Sequence, residues 1–260
     1  MKTLLIGLVC IVSMLTVLPN ISFKSGQQKV KGNGSIVTRT IEIGDFSEID
    51  LGSNIESGKN IFGGSSHPAV FNYVLTEDAP QLQITTDENL LPLIEIKVNG
   101  NSLTIKSKDG KTKLIPTQLT INGSSRNLTK VNISGCMDFV SERPIQLKEL
   151  KASVSGVGDI KMNDLECGDL SCRVSGVGNI KLTGKADKGD FHVSGVGHIY
   201  CYDCVVKDMK CGVSGVGGAE VNVSDNLEAN VSGVGSIKYK GTANVQSNKS
   251  GVGSIKCVNN

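Results

Sequence analysis

The chain has 260 residues, a net charge of +2, 4% aromatic residues and no Trp. This balance excludes the strongly basic face of a nucleic-acid binder. Only four of the 27 basic residues are Arg, and they are scattered, so a clustered clamp for phosphate or carboxylate is excluded too.

Met1 to Pro19 places one Lys before an apolar run, the n- and h-regions of a secretory signal peptide. The segment is expected over residues 1–22, with cleavage near Ser22 or Ser25. An uncleaved anchor is the alternative, because the run is near the short limit for a span. Cys10 sits inside the apolar run and not at its end, which argues against lipid attachment there.

Residues 24–130 read as an N-terminal β region. Ser35–Ile43, Ala69–Leu75 and Gln81–Thr85 alternate apolar and polar residues, the period of a strand. Asp87–Leu93 reads as a short turn or helical bend. Val98-Asn99-Gly100-Asn101 predicts a hairpin between IEIKV and SLTIKS.

From residue 131 the chain repeats itself. Ser-Gly-Val-Gly begins at Ser155, Ser175, Ser194, Ser214, Ser232 and Ser250, at spacings of 20, 19, 20, 18 and 18. A degenerate copy, ISGCMDF, starts at Ile133. Counting from each Ser, positions −5, −3, −1, +5 and +7 are apolar in 27 of 30 cases; Gly189, Ser247 and Lys249 are the exceptions. Alternation on both sides of SGVG is strand chemistry, and fixed self-similarity of this length means a solenoid. The expected fold is all-β: a right-handed parallel β-helix over residues 131–260, packed on or continuous with the N-terminal β region. Handedness follows the general rule for parallel crossovers. One coil alone cannot bury enough apolar surface to offset its ordering entropy, so coils must stack, like on like. Glycine at the corner permits backbone conformations closed to other residues, or close approach of neighbouring coils. Lys249 and the polar last residues cap the end against edge pairing.

Seven Cys follow the leader: Cys136, Cys167, Cys172, Cys201, Cys204, Cys211 and Cys257. An odd number cannot pair completely within one chain. Cys201 and Cys204 have CxxC spacing without the strand-then-helix setting of a redox motif, and no second pair completes a zinc site. Cys172 and Cys211 share a column two coils apart, beyond disulfide reach. These thiols are expected as small buried apolar residues.

Three segments in order resemble the putative auto-transporter adhesin, head GIN domain family of exported bacterial proteins. They are IEIGDFSEIDLGSNI (Ile41–Ile55), TTDENLLPLIEIKVNGNSLTIKSKDG (Thr85–Gly110) and the serial SG-x-G-x-I units; the family often writes SGSGDI where this chain writes SGVG. The resemblance implies an all-β architecture with a β-helical part and an exported location. It names no ligand and supplies no catalytic residue.

No catalytic, cofactor-binding or metal-binding residue is expected. The glycine corners lack the helix N-terminus of a phosphate cradle. The residue after each second Gly is Asp159, Asn179, His198, Gly218, Ser236 or Ser254, and one Asp in six does not build a calcium ladder. The three His are His67, His192 and His198; the latter two flank one corner, with Asp203 and Asp208 nearby. Position +6 reads Lys161, Lys181, Tyr200, Glu220, Lys238 and Lys256, a candidate basic stripe for acidic glycans. After residue 22, seven Asn-x-Ser/Thr triplets, beginning at Asn33, Asn122, Asn127, Asn132, Asn222, Asn230 and Asn248, follow from an Asn- and Ser-rich composition. The functional expectation is an exported, non-enzymatic binding or adhesion module of the cell envelope. Its partners would be glycans or cell-surface components, with no nucleic acid and with membrane contact only through the signal segment. The alternatives are a structural or stress-related envelope protein, and a carbohydrate-active β-helix enzyme. The enzyme would require a deep groove lined by two or more carboxylates on one face.

Overall fold

The computed structural model describes residues 28–56 and 69–258. The expected signal segment and His67 lie outside them. The strands in chain order begin with β1 (Lys29–Lys31), β2 (Ile36–Ile41), β3 (Glu48–Leu51), β4 (Val70–Leu75) and β5 (Gln81–Asp87). A 3-10 turn at Leu91–Leu93 precedes β6 (Ile94–Asn99), β7 (Ser102–Ser107), β8 (Lys113–Ile115) and β9 (Leu119–Ser125). Then follow β10 (Lys130–Ile133), β11 (Asp138–Ser141), β12 (Ile145–Val154), β13 (Ile160–Val174) and β14 (Val177–Val193). The last are β15 (Val196–Val213), β16 (Val216–Val231), β17 (Val234–Gly241), β18 (Asn244–Lys249) and β19 (Val252–Cys257). The described residues contain no α-helix.

The repeats form a β-solenoid. Every coil pairs in parallel with the next, residue upon equivalent residue: Ile160, Ile180, Ile199, Ala219, Ile237 and Ile255 form one such file. The inward columns are those the alternation marks. Val154, Val174, Val193, Val213 and Val231 are buried, as are Ile160, Ile180, Ile199 and Ile237. Differences in repeat length are absorbed away from the glycine corner, where the register shifts between Met162 and Leu165, Lys181 and Gly184, and Cys201 and Val205.

Close approach explains the glycines. The N–H groups of Ser175 and Gly176 both donate to the Val154 carbonyl, at 2.9 and 3.0 Å, and Val177 donates to the Gly156 carbonyl at 2.9 Å. A Cβ on Gly176, Gly195 or Gly215 would lie inside contact distance of the carbonyl oxygen of Gly156, Gly176 or Gly195. The second glycines repeat the constraint: Gly178 faces Gly158, Gly197 faces Gly178 and Gly217 faces Gly197. Each corner thus has two glycine files with no space for a side chain. The file begins before the six exact copies. Gly156 would meet Gly135, in the degenerate copy, and Gly135 would meet Gly52.

The residue after the second glycine has its own task. Asp138 Oδ1 accepts the Asp159 N–H at 2.9 Å, Asp159 Oδ1 accepts the Asn179 N–H at 2.8 Å, and Asn179 Oδ1 accepts the His198 N–H at 3.1 Å. Side-chain oxygens here satisfy the backbone of the next coil.

Parallel stacking continues into the N-terminal half, but chain order and spatial order part company. β3 lies between β7 and β10, and β4 lies between β9 and β11. The far end is closed by antiparallel pairing of β9 with β5 and β5 with β2, and by the β6–β7 hairpin turning at Gly100. Phe139 stacks on Phe71 and Tyr73 at ring-centroid distances of 5.9 and 5.8 Å, filling the interior where the two halves join. The cap is pinned by buried Asp87. Its carboxylate accepts the N–H groups of Gly34 at 2.8 Å and Thr117 at 2.7 Å. Burial pushes this carboxyl up, and the donors from Gly34, Thr117 and Gln118 overcome that and hold it below its ordinary value. At the other end the last coil is half-wet: Val245 and Ile255 are only partly buried. Lys249 stands exposed in the file that Val231 and its predecessors fill.

Cys167, Cys172, Cys201, Cys204 and Cys211 are buried thiols of the wall. Phe191 separates Cys172 from Cys211 in their file. Cys136 is half-buried, and Cys257, expected inside, is exposed, since among the described residues no further coil covers it. Burial pushes Cys167 and Cys211 up to about 12. The hydrogen bond between Cys201 and Cys204 raises the first and lowers the second, and burial opposes charge on either.

Candidate functional site

The expected basic stripe exists as a file. Lys161, Lys181, Tyr200, Glu220, Lys238 and Lys256 stand in register on successive coils. Parallel pairing spaces them ~4.8 Å apart. It is interrupted chemically as well as in sequence. Lys238 Nζ lies 3.2 Å from Glu220 Oε1, and Lys161 Nζ lies 3.6 Å from Glu142 Oε1. Tyr200 stacks on His198 at 5.5 Å. Held at a wet surface, such pairs are weak, and they neutralise part of the positive charge of the file.

A concavity lies elsewhere. A groove of about 580 Å³ runs along the coils between two outward ridges. One ridge is position −6: Glu149, Asp169, Lys188, Asp208, Asn226 and Asn244. The other is position −4: Lys151, Ser171, Asp190, Lys210, Glu228 and Gln246. Leu150, Leu170, Gly189, Met209 and Leu227 form the floor between them. The ridges exist because the coil turns just before position −6. In β13, Gly168 and Asp169 separate inward Cys167 from inward Leu170, which breaks the alternation by one residue. Gly189 leaves a gap in the floor that the Met209 side chain approaches.

Five groove residues are carboxylates: Glu149, Asp169, Asp190, Asp208 and Glu228. Their settings differ from that of a catalytic pair. Asp169 faces Lys188 at 3.9 Å, Asp190 faces Arg173 at 2.8 Å, and Glu228 faces Lys210 at 3.6 Å. Asp208 accepts from Asn226 Nδ2 at 2.6 Å. All are solvated. None is set against apolar surroundings, the device by which glycosidases keep one acid protonated. The groove instead mixes acceptors and donors along both ridges. The signal for it lay in the sequence, in two polar columns flanking one apolar column, but only the bend makes them ridges.

The two described histidines take separate roles. His192 Nε2 lies 3.4 Å from Ser214 Oγ, and Gly212 leaves room for its ring, whereas His198 packs on Tyr200. Asp208 belongs to the groove, and neither His joins it there. No cluster of His, Cys, Asp and Glu among the described residues is arranged to hold a metal ion. No described helix is long and apolar enough to cross a membrane.

Residues 66–243 match the family model of the putative auto-transporter adhesin, head GIN domain. The chain belongs to this family. Solved structures similar to this chain include a putative adhesin from Bacteroides fragilis, 27% identical, with a TM-score of 0.76 over 88% of this chain and 100% of that one. A putative adhesin from Parabacteroides merdae is 30% identical, with a TM-score of 0.65 over 89% of this chain and 100% of that one. A putative lipid binding protein from Parabacteroides distasonis is 29% identical, with a TM-score of 0.68 over the same shares, 89% and 100%. No functionally curated protein matches the chain.

Proposed function

We propose that this head GIN protein is an exported, non-catalytic binding module of the cell envelope that holds an extended glycan strand along its groove. The observation that carries this reading is the groove itself. It crosses six successive coils, from Glu149 to Asn244, a length of roughly 24 Å at the parallel-strand spacing. Its ridges offer carboxylates, amides and ammonium groups, the hydrogen-bonding partners that sugar hydroxyls use. Leu150, Leu170, Met209 and Leu227 between them are buried, 0–3% exposed, so the polar ridges carry the contacts. The adhesin-like family favours a cell-surface or exported location, as does the apolar leader. A glycan array read with the wild-type chain and with Asp190→Ala/Lys210→Ala tests it. Binding to linear glycans that the double variant loses is expected; no binding to any glycan overturns the reading.

The five groove carboxylates favour a second reading, a carbohydrate-active enzyme. Incubation with the bound polysaccharide separates the two. A binding module leaves chain length unchanged, and an enzyme releases new reducing ends or unsaturated products.

A further inference from the structure

The valines of the SGVG corners are not where six apolar residues would be expected. Val177, Val196, Val216 and Val234 are 45%, 54%, 56% and 58% exposed, and Val252 is 78% exposed. They stand in register, one per coil, with Val157 bridged to Val177 at the end of the file. The backbone does not require them. Their N–H groups serve the glycine carbonyls, as Val196 does to Gly176 at 2.9 Å, and any residue would supply that. Their side chains form an apolar ridge along a convex corner.

The flanks of this ridge carry a sign. Within the outward positions from −2 to +6, plus Lys249, there are six cations: Arg173, Lys249, Lys161, Lys181, Lys238 and Lys256. Against them stand two carboxylates, Asp159 and Glu220. Glu142 and Asp190 reach in to Lys161 and Arg173, and the excess stays positive. Tyr200, 38% exposed, interrupts the Lys file with an aromatic face. The groove on the other corner has no such excess.

We infer that this ridge docks on an anionic lipid bilayer, with the valines entering the interface and the Lys file meeting the headgroups. Two features select this occupant. A bilayer interface takes apolar side chains with basic and aromatic neighbours, and the charge here is complementary to it. A second copy fits worse, since a single row of valines falls short of the ~800 Å² per partner of a stable interface. The inference extends the membrane contact expected of the leader to the folded domain. It is independent of the groove, which lies on another corner.

The chain lacks Trp, so one introduced indole reports its own site. Full-length Val216→Trp and, as control on another corner, Lys207→Trp are mixed with vesicles of phosphatidylcholine and phosphatidylglycerol carrying brominated acyl chains. Quenching of the indole at position 216 and not at 207, lost in pure phosphatidylcholine and at high salt, is expected. Adding Val177→Ser, Val196→Ser, Val234→Ser and Val252→Ser to Val216→Trp lowers the apparent partition about 100-fold or more. Should those substitutions disturb folding, Lys161→Glu/Lys181→Glu/Lys256→Glu gives the same loss from the charge side. Three results overturn the inference: equal quenching at both positions, which would place the attachment in the N-terminal segment; a concentration-dependent blue shift at position 216 without vesicles, which would mean a second copy; and no quenching at either position.

Discussion

The two halves of this solenoid keep their coils in register by different means. From β12 to β19 the register is written into the corners, where each glycine pair lies under the carbonyls of the preceding coil. In the N-terminal half the coils are out of chain order and have few such glycines. There the register rests on individual polar pins such as Asp87 and on an aromatic stack. Repetition makes a structure whose restraint is distributed and cumulative. Without repetition, a few residues carry the restraint, and each matters by itself.

The largest effect should come from violating the corner rule. Gly195→Ala or Gly197→Ala puts a Cβ against a backbone carbonyl that cannot withdraw without moving a whole coil. A cost above about 4 kcal/mol is expected, at roughly 2–4 °C of Tm per kcal/mol for a chain of this size. Gly44→Ala is the matched control. A Cβ there meets nothing within 4 Å, and thermal denaturation should show little change or a slight gain. Equal responses at Gly44 and Gly197 would mean that the corner glycines do not set the register.

Asp87→Asn tests the other half. It removes a buried charge-assisted acceptor from the Gly34 and Thr117 N–H groups, with an expected loss of about 2–4 kcal/mol. The pH dependence has a defined sign. Asp87 is held below its ordinary value in the fold, so its contribution is present above the unfolded carboxyl value, roughly pH 4. It is lost as pH falls through the lower folded value. Denaturant titrations from pH 7 downward should therefore show a steeper acid loss in the wild type than in Asp87→Asn.

This contrast also sets how much could be read from the sequence. The repeat half was legible because period-two alternation and a fixed spacing act together: Val193 and Ile199 could be placed inward from the string alone. The β6–β7 hairpin was legible from Asn99-Gly100. The spatial order β7, β3, β10 was not, because strand order depends on pairings between residues some 50 to 80 positions apart that leave no local pattern. The outward direction of the SGVG valines was also hidden. An apolar residue between two glycines reads equally as wall or ridge until the carbonyl contacts are known. The groove needed the bend at Gly168 and Asp169, a one-residue break in alternation that looks like noise in any single repeat.

A smaller effect separates wall thiols from edge thiols. Cys172→Ser buries a hydroxyl between Ala152 and Phe191 in its file, and a loss of about 1–3 kcal/mol is expected. Cys257→Ser, at an exposed position, should change stability by less than about 0.5 kcal/mol. Alkylation of the native protein followed by mass mapping should mark Cys257 first and Cys136 more slowly. The five wall thiols should react only after denaturation, since burial both blocks the reagent and disfavours the thiolate. Reaction of Cys201 or Cys204 in the native state would mean that the coil opens there.

One substitution is expected to give a modest gain, and it lies in the half that relies on single residues. Thr86 is buried beside Asp87, and its Oγ1 finds no hydrogen-bond partner among the described residues. The hydroxyl left water without replacing its hydrogen bonds, which costs about 1–3 kcal/mol. Thr86→Val keeps the branched shape and the β preference of the strand and deletes the unsatisfied atom. A stabilisation of about 1 kcal/mol is expected in denaturant titration. The backbone pairing of Thr86 with Val37 and Leu119 is unchanged by the substitution, so the gain isolates the hydroxyl. A loss instead of a gain would show that Oγ1 does have a partner in solution, such as a buried water, and that the cap holds one more polar pin than Asp87 alone.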